Sequence, residues 1–138
     1  MSDEKNASCQ CGQLAVTVPG EPDIVTACNC LACQKRTGAV FGTGAYYPRD
    51  KVSISGRSKT FGRTAESGRL LTNHFCPECG TTLYWSLEMR PDHYGIAVGC
   101  FADPAFTGPA RAIYLDHKHH WVQFPDDMPV FDQAAPLR

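Results

Sequence analysis

Seven cysteines, gathered into three short groups, constrain the fold of this chain more than any other feature of its sequence. They form a C-x-C pair near the start, a C-x-C-x-x-C run further on and a C-x-x-C pair in the second half. Such spacing lets one turn of backbone deliver two thiolate ligands to the same metal ion, and four thiolates complete a tetrahedral zinc site. The residues are Cys9, Cys11, Cys28, Cys30, Cys33, Cys76 and Cys79.

The N-terminal residues indicate whether these cysteines form disulfides or bind metal. The sequence begins MSDEKN, with acidic residues and no apolar segment directly after them. This pattern does not resemble a secretory signal peptide. We therefore expect a cytoplasmic protein, in which thiols stay reduced and clustered cysteines bind metal.

The first and last cysteine groups together predict a closed structural zinc site. Each pair supplies two ligands, and each is followed directly by a glycine, which lets the backbone fold back so that amide N–H groups approach the thiolates. A chance coincidence or a redox pair is the alternative, but two glycine-flanked pairs in a cytoplasmic chain favour zinc. The predicted ligands are Cys9, Cys11, Cys76 and Cys79.

The middle group supplies three thiolates, one fewer than a closed site needs. Three protein ligands and an open fourth position are typical of catalytic zinc, where water or an incoming thiol binds. Other interpretations stay open: a fourth ligand from elsewhere in the chain, a dithiol–disulfide pair of Cys30 and Cys33, or buried cysteines that act as small hydrophobic residues. The candidate ligands are Cys28, Cys30 and Cys33.

Size and charge exclude several classes of protein. A chain of 138 residues has room for one domain. Its 13 basic and 14 acidic residues give a formal net charge of −1, so no basic excess is present to neutralise a nucleic-acid backbone. The longest uncharged apolar stretch, residues 95–102, is far too short to cross a bilayer. We expect neither a nucleic-acid partner nor a membrane-spanning segment, and the oligomeric state stays open.

Short segments of alternating apolar and more polar residues predict a mainly β fold. Leu14, Val16 and Val18 show the period-two pattern of a half-buried strand. The 3.6-residue period of a helix is absent, apart from one short helical turn at residues 31–36 that Gly38 ends. Strands are predicted at residues 14–18, 24–27, 40–47, 51–55, 69–75, 82–86, 94–101 and 112–115.

Four further residues carry weaker signals. Lys35 and Arg36 follow the middle group and could bind the carboxylates of a ligand, although solvent-exposed charge is the commoner role of such residues. His74 could hydrogen-bond a thiolate of the last pair, but a packed or surface histidine is favoured. Cys100 stands alone in an apolar segment and is predicted to be a buried, inert thiol.

A histidine-rich tract and three aromatic residues complete the candidates. The sequence HKHH at residues 117–120 is typical of a metal-binding tract, but no second cluster completes its coordination, so a solvated loop is favoured. Phe41, Tyr46 and Tyr47 lie in an alternating segment. They could line a pocket near the middle group, but aromatic residues in such a segment are more often core residues.

The order and spacing of the motifs resemble a known family. The sequence reads CQCG at residues 9–12, CNCLACQKRTG at 28–38 and HFCPECG at 74–80, followed by Gly99, an Asp-Pro pair at 103–104, Trp121 and DMP at 127–129. This pattern resembles the glutathione-dependent formaldehyde-activating enzyme family, which also includes centromere protein V. The resemblance covers residues 8–131, which we take as the domain, with residues 1–7 and 132–138 as terminal tails.

The resemblance implies a fold, two metal ions and an activity. The fold is a compact single domain of stacked antiparallel sheets with a zinc-ribbon-like four-cysteine site. One zinc ion would lie on that site and a second on Cys28, Cys30 and Cys33, which would act in catalysis. The implied activity is a carbon–sulfur lyase-type reaction on S-hydroxymethylglutathione, the adduct of formaldehyde with glutathione or a similar small thiol. The alternative is a non-catalytic zinc-binding module that carries a thiol or binds a protein partner.

Overall fold

The fold consists of β-strands and one short helix, seen in a computed structural model that describes residues 3–135. The helix α1 spans Leu31–Thr37, and 3-10 turns span Arg49–Lys51, Val98–Phe101 and Leu115–His117. The strands are β1 (Glu4–Ser8), β2 (Ala15–Pro19), β3 (Ile24–Cys28), β4 (Gly42–Pro48), β5 (Ser53–Ser55), β6 (Lys59–Thr64), β7 (Leu70–Phe75), β8 (Thr82–Leu87), β9 (Arg90–Ala97) and β10 (Arg111–Ile113).

These strands form two sheets. The small sheet has the order β1-β2-β5, and the large sheet has the order β10-β3-β4-β9-β8-β7-β6. All pairs are antiparallel except β10 and β3, which run parallel at one edge of the large sheet. The mainly β, single-domain fold of antiparallel sheets that the sequence predicts is confirmed.

Both sheets contribute to one hydrophobic core. Val16 and Val18 of β2 pack in the same buried cluster as Val25, Ala45 and Ile96 of the large sheet. Because side chains alternate across a strand, the neighbouring residues of the large sheet point to its other face. That second face carries the candidate site.

The helix α1 is fixed at both ends by its own sequence. Cys30 is the N-cap residue, and its Sγ accepts a hydrogen bond of 3.4 Å from the backbone N–H of Cys33. Gly38 ends the helix in the left-handed conformation with φ of 70°, which residues with a Cβ rarely adopt, and its N–H donates to the Gln34 carbonyl. The predicted helical turn that ends at Gly38 is therefore confirmed.

The largest differences from the sequence prediction lie in three segments. The strands β1 and β6 are not predicted, because their residues are mostly polar and lack an alternating apolar pattern. The strand predicted over residues 94–101 ends at Ala97, and Val98–Phe101 forms a 3-10 turn instead. This turn is followed by Ala102 with φ of 53°, a left-handed residue that reverses the chain.

The predicted domain boundaries at residues 8 and 131 stay a prediction. The strand β1 lies before the first boundary and pairs with β2 along its whole length. Residues 1–2 and 136–138 of the predicted tails lie outside the described residues. Within residues 3–135, no helix is both long and apolar enough to cross a membrane.

Candidate functional site

The first and last cysteine groups form one cluster, which we call the four-cysteine cluster. The Sγ atoms of its four members all lie within 4.8 Å of one another. Two of these distances, from Cys11 Sγ to Cys9 Sγ and from Cys11 Sγ to Cys76 Sγ, are 3.7 Å. Four sulfurs bound tetrahedrally to one ion at ~2.3 Å would lie about 3.8 Å apart. The members are Cys9, Cys11, Cys76 and Cys79.

Two tight turns bring these four residues together. The first turn joins β1 to β2 and the second joins β7 to β8. Gly12 and Gly80, which directly follow the two pairs, have φ of 85° and 82°, values that favour glycine. The turns are joined to each other, because the Gln10 N–H donates a hydrogen bond of 3.1 Å to the Thr81 hydroxyl.

Polar hydrogens point at the sulfurs of the four-cysteine cluster. Backbone N–H groups of Leu14 and Glu78 lie 3.3 Å from Cys9 Sγ and from Cys76 Sγ, respectively. The side-chain amide of Gln13 donates to Cys76 Sγ at 3.1 Å. Donors of this kind stabilise a thiolate relative to a thiol, and thiolates are the metal-binding form of cysteine.

The pKa of Cys79 shows the same effect. Hydrogen bonds from the Thr81 side chain and backbone, and then from the Cys11 backbone, lower the pKa of the Cys79 thiol to about 5. A thiol with this pKa is ionised at neutral pH. The cluster is therefore arranged to carry negative charge, which a bound cation would balance.

The middle group forms a second cluster, which we call the three-cysteine cluster. Cys28 ends β3, Cys30 is the N-cap of α1 and Cys33 lies in its first turn. Their three Sγ atoms lie within 4.8 Å of one another, and no histidine, aspartate, glutamate or further cysteine of residues 3–135 joins them. A metal ion on these sulfurs would keep one tetrahedral position for another ligand.

The three sulfurs strongly perturb one another. The pKa of Cys30 is lowered, because the thiols of Cys28 and Cys33 donate hydrogen bonds to it. The pKa of Cys28 is raised, because it donates to Cys30 and Cys33 and lies in a buried position. Without a cation the cluster therefore favours one thiolate shared by its neighbours, and three thiolates together would need a positive charge among them.

A cavity of about 480 Å³ opens beside the three-cysteine cluster. A volume in this range is typical of sites that bind small molecules. The cavity lies on the face of the large sheet that points away from the core, and strands β3, β4, β7 and β8 contribute to its floor. Residues of the floor include Thr26, Cys28, Gly42, Gly44, Tyr46, Asn73 and Trp85.

Glycines make room for two aromatic rings on this floor. A Cβ built on Gly44 would lie 2.6 Å from the Trp85 ring, and one built on Gly95 would lie 2.3 Å from Trp85 Nε1. The Trp85 indole donates a hydrogen bond of 3.2 Å to the hydroxyl oxygen of Tyr46. Any side chain larger than hydrogen at these two positions would displace the rings.

The cavity has a positive balance of charge. Five arginines and only two acidic residues, Asp23 and Glu66, line it. Such a surface attracts anionic ligands. The arginines are Arg36, Arg63, Arg69, Arg90 and Arg111.

Two of these arginines make cation–π contacts with the aromatic rings of the cavity floor. The Arg36 guanidinium lies 4.4 Å from the centroid of the Trp85 ring, and that of Arg90 lies 5.7 Å from the centroid of Tyr46. Cation–π contacts of this kind fix a guanidinium while leaving its N–H groups able to donate. Arg36 lines the cavity instead of being the solvent-exposed charge that the sequence favours, whereas Lys35 is exposed and does not line the cavity.

Within residues 3–135, no hydrogen bond joins His74 to a thiol of the four-cysteine cluster. The His74 ring stacks on Tyr84, with centroids 4.3 Å apart, on the other face of the large sheet. Burial, assisted by the charge of Arg49, lowers the pKa of His74. The packed role predicted for this histidine therefore fits its surroundings better than a hydrogen bond to a thiolate.

The histidine-rich tract packs against the helix rather than forming a metal cluster. Gln34 of α1 donates to the His117 carbonyl at 3.1 Å, and its side-chain oxygen lies 2.9 Å from His119 Nε2. The His117 ring lies 3.5 Å from the Glu66 carboxylate. Within residues 3–135, no histidine belongs to a group of three or more side chains that could share one metal ion.

The aromatic candidates separate into different environments. Phe41 packs edge-on against Phe124, with centroids 5.6 Å apart. Tyr47 is a core residue whose hydroxyl donates to the Gly20 carbonyl at 3.0 Å. Tyr46, next to it on the strand, points the other way and lines the cavity. The core prediction is right for Tyr47 and wrong for Tyr46, because alternate residues of β4 face different sides of the sheet.

Cys100 lies in the 3-10 turn Val98–Phe101 and is half-buried against the core. Burial raises the pKa of its thiol, which lowers its thiolate fraction at neutral pH. The predicted strand is therefore absent at this residue, while the low reactivity expected of the thiol fits its position.

Sequence analysis missed Trp85 and Arg63 as cavity residues, and Gly95 as the residue that makes room for the Trp85 ring. They come from strands that are distant in sequence, so their proximity to the cysteines depends on the order of strands in the sheet. One local signal was present: Gly42 and Gly44 stand at alternate positions of a strand, a pattern that indicates close approach of another group to that face.

Comparison with known proteins gives consistent matches. A family model described as "Glutathione-dependent formaldehyde-activating enzyme" matches residues 4–117. A Podospora anserina protein provisionally named as such an enzyme is 34% identical over 70 residues, which cover 51% of this chain and 32% of that protein. An Aspergillus terreus protein with the same provisional name is 26% identical over 93 residues, covering 66% and 48%. The chain thus spans a third to about half the length of these relatives.

A solved structure has a similar fold. The crystal structure of a Rhodobacter sphaeroides protein matches with a TM-score of 0.54 at 16% sequence identity. The match covers 74% of this chain and 90% of that chain. At this identity the likeness concerns the fold alone.

Proposed function

The chain belongs to the glutathione-dependent formaldehyde-activating enzyme family, and on that premise we propose that it is a zinc-dependent enzyme of the carbon–sulfur lyase type. Its substrate would be the adduct of formaldehyde with glutathione or a similar small thiol. The observation that carries the proposal is the three-cysteine cluster, which has no fourth protein ligand among residues 3–135 and lies beside an arginine-lined cavity.

The donor sets of the two clusters fit zinc in two different roles. Four thiolates with tetrahedral spacing are typical of structural zinc, and Cys9, Cys11, Cys76 and Cys79 would hold that ion. Three thiolates are typical of an open site, and Cys28, Cys30 and Cys33 would hold the second ion. Zinc held there supplies an open coordination position that binds an incoming thiol and favours its thiolate form.

The charges of the cavity support glutathione as the thiol. Glutathione carries two carboxylates, and guanidinium groups bind carboxylates with paired hydrogen bonds. Arg63 is half-buried in the cavity wall, and its charge contributes to the lowered pKa of Cys30. Arg36 lies one helical turn beyond Cys33 and also lines the cavity. Positive charge is therefore present close to the sulfur that would be bound.

The proposed reaction is the addition of the thiol to formaldehyde and its reversal. The sulfur of the bound thiolate forms a bond to the carbonyl carbon while the carbonyl π bond breaks. The electron pair moves to the oxygen, which takes up a proton and becomes the hydroxyl of the hydroxymethyl thioether. In the reverse direction the hydroxyl loses its proton, the carbon–sulfur bond breaks, and formaldehyde leaves.

The test is a rate measurement against the uncatalysed reaction, because thiols and formaldehyde also condense without a catalyst. Exchange between glutathione and S-hydroxymethylglutathione would be followed by NMR with zinc-loaded protein. We expect acceleration by the wild type and by Cys100→Ser, which alters a cysteine outside both clusters, and none by Cys30→Ser.

The outcome separates enzyme from carrier. If glutathione binds and exchange stays at the uncatalysed rate, the chain is a thiol-carrying zinc module, the alternative function. If Cys30→Ser accelerates exchange as well as the wild type does, the three-cysteine cluster is not the catalytic site.

A further inference from the structure

The Tyr46 hydroxyl is held by a hydrogen bond that leaves its own proton for another acceptor. Trp85 Nε1 lies 3.2 Å from the Tyr46 hydroxyl oxygen, and an indole nitrogen can only donate. The oxygen of Tyr46 is therefore the acceptor, and no hydrogen bond within residues 3–135 uses the Tyr46 proton. Since both residues line the cavity, this proton is available to a molecule bound there.

The Tyr46 ring lies against two glycines on neighbouring strands, Gly44 of β4 and Gly95 of β9. Gly42, Gly44 and Tyr46 occupy alternate positions of β4 and share one face. A Cβ on Gly44 would lie 3.3 Å from Tyr46 Cε2 and one on Gly95 would lie 2.9 Å from Tyr46 Cε1, so the ring lies over the sheet between these two glycines. A Cβ on Gly42 would lie 3.6 Å from Cys33 Cβ. Gly42 and Gly44 are about 7 Å apart along β4, and Cys33 and Tyr46 line the same cavity above these two glycines.

We propose that the Tyr46 hydroxyl, oriented by Trp85, donates a hydrogen bond to the carbonyl oxygen of the aldehyde and supplies its proton as the thiol adds. This assignment rests on the proposed function, to which it adds the proton donor. The cavity of about 480 Å³ that the three-cysteine cluster and Tyr46 both line has room for a bound sulfur, the aldehyde carbon and its oxygen.

The proton and electron balance of the step is complete within the site and solvent. The thiolate sulfur donates an electron pair to form the carbon–sulfur bond, and the π electrons of the carbonyl move to oxygen. That oxygen takes the proton from Tyr46, and the resulting phenolate recovers one proton from water. In the reverse direction Tyr46 first gives its proton to water, and the phenolate takes the proton of the adduct hydroxyl as the carbon–sulfur bond breaks and its electron pair returns to sulfur.

The surroundings of Tyr46 keep it protonated until it is used. Burial raises its pKa to about 12, although the hydrogen bond from Trp85 acts in the opposite direction. The Arg90 guanidinium lies 5.7 Å from the ring centroid and would stabilise negative charge on the ring during transfer. Preorganised donors in such a site stabilise a developing oxyanion more than water does.

Two other side chains of the cavity are competing donors. His93 is engaged with Asp23, with 2.8 Å between Nε2 and the carboxylate oxygen. Tyr114 also lines the cavity, and its φ is 56°, which turns the chain at the end of β10. Within residues 3–135, neither is held by a hydrogen-bond donor in the way that the Trp85 indole holds the Tyr46 oxygen. A Tyr114→Phe variant belongs in the test for this reason.

The test compares two ligands that differ by a single hydroxyl group. Zinc-loaded wild type, Tyr46→Phe and Tyr47→Phe would be titrated with S-hydroxymethylglutathione and with S-methylglutathione. Tyr47→Phe is the matched control, because it removes a neighbouring hydroxyl that bonds to the Gly20 carbonyl outside the cavity. We expect Tyr46→Phe to weaken binding of the hydroxymethyl ligand about five- to tenfold and to leave the methyl ligand unchanged.

Trp85→Phe tests the positioning role separately. It should reduce the preference for the hydroxymethyl ligand in a chain with Tyr46, and have no further effect on that preference in a Tyr46→Phe background. A structural role of Trp85 alone would change the binding of both ligands together. Zinc content, measured for each variant, controls for loss of either metal.

Four outcomes would overturn all or part of the proposal. Equal effects of Tyr46→Phe on both ligands would show that its hydroxyl does not meet the ligand oxygen. Loss of the preference in Tyr114→Phe but not in Tyr46→Phe would assign the donor to Tyr114. If the wild type binds neither ligand, the proposed function and this assignment fail together. If the wild type shows the expected binding preference without accelerating exchange, the Tyr46 hydrogen bond stands, and its catalytic use and the proposed function both fail.

Discussion

Trp85 lies against Gly95 so closely that a Cβ on the glycine would be 2.3 Å from the indole nitrogen. The two residues are cross-strand partners on β8 and β9. Because the same indole nitrogen bonds to the Tyr46 hydroxyl, the absence of a side chain at residue 95 determines where the aromatic floor of the cavity lies. A substitution at Gly95 should therefore alter the position of Trp85 and Tyr46 in the cavity.

Gly95→Ala should displace Trp85 and weaken glutathione binding. Overpacking of this kind costs about 1–3 kcal/mol of unfolding free energy. The control is Gly99→Ala, since nothing lies within 4 Å of a Cβ at that residue. Urea unfolding and glutathione titration would be measured for both variants. Equal behaviour of the two variants would contradict the close packing of Trp85 on β9.

Cys76→Ser and Cys30→Ser should separate the roles of the two clusters. Cys76 is fully buried between two hydrogen-bond donors, and loss of a structural metal should cost roughly 4 kcal/mol or more. Serine is a good N-cap, so Cys30→Ser should keep α1 and lose about 1 kcal/mol. Thermal unfolding and zinc content provide the measurement. If Cys30→Ser unfolds as readily as Cys76→Ser, the three-cysteine cluster is structural.

Arg63→Gln should weaken binding of an anionic thiol but not of a neutral one. We expect a loss of about 1 kcal/mol, or roughly fivefold, for glutathione, and no change for 2-mercaptoethanol. Arg57→Gln is the charge-matched control, because that arginine pairs with Glu78 at the surface and does not line the cavity. Equal losses in both variants would indicate an effect of net charge rather than a contact with the ligand.

Tyr47 should make the folded state less stable at high pH. Burial raises its pKa from 10.0 to about 12, so the unfolded chain releases the proton first and stability falls as pH rises from 10 to 12. Tyr47→Phe should be about 1 kcal/mol less stable at pH 8, because it loses the hydrogen bond to the Gly20 carbonyl. Urea unfolding at several pH values should show this difference shrinking above pH 10. A constant difference would contradict the raised pKa.

Much of the fold follows from local patterns, because a strand with one buried face alternates apolar and polar residues. The strands β2, β3 and β4 pack one face in the core and are predicted by their apolar periodicity. By contrast, β1 and β6 lie at sheet edges and are paired on one side only. Their mostly polar residues suit a solvent-exposed sheet edge and show no apolar periodicity.

The site is only partly predictable for a similar reason. The grouping of the cysteines follows from spacing, because Cys28, Cys30 and Cys33 are neighbours along one short segment. The cavity depends on strand order, which brings Trp85 beside Tyr46 from a distant part of the chain. No spacing rule connects those two residues, so the role of Tyr46 emerges only from the folded arrangement.

The most direct test of the account is native mass spectrometry of the reduced, zinc-loaded chain, with and without glutathione. The account predicts two zinc ions per chain and a glutathione adduct on the wild type. It also predicts that Cys30→Ser keeps one zinc ion and loses the adduct. One zinc ion and no adduct on the wild type would contradict it, and would leave a β domain held together by the four-cysteine cluster alone.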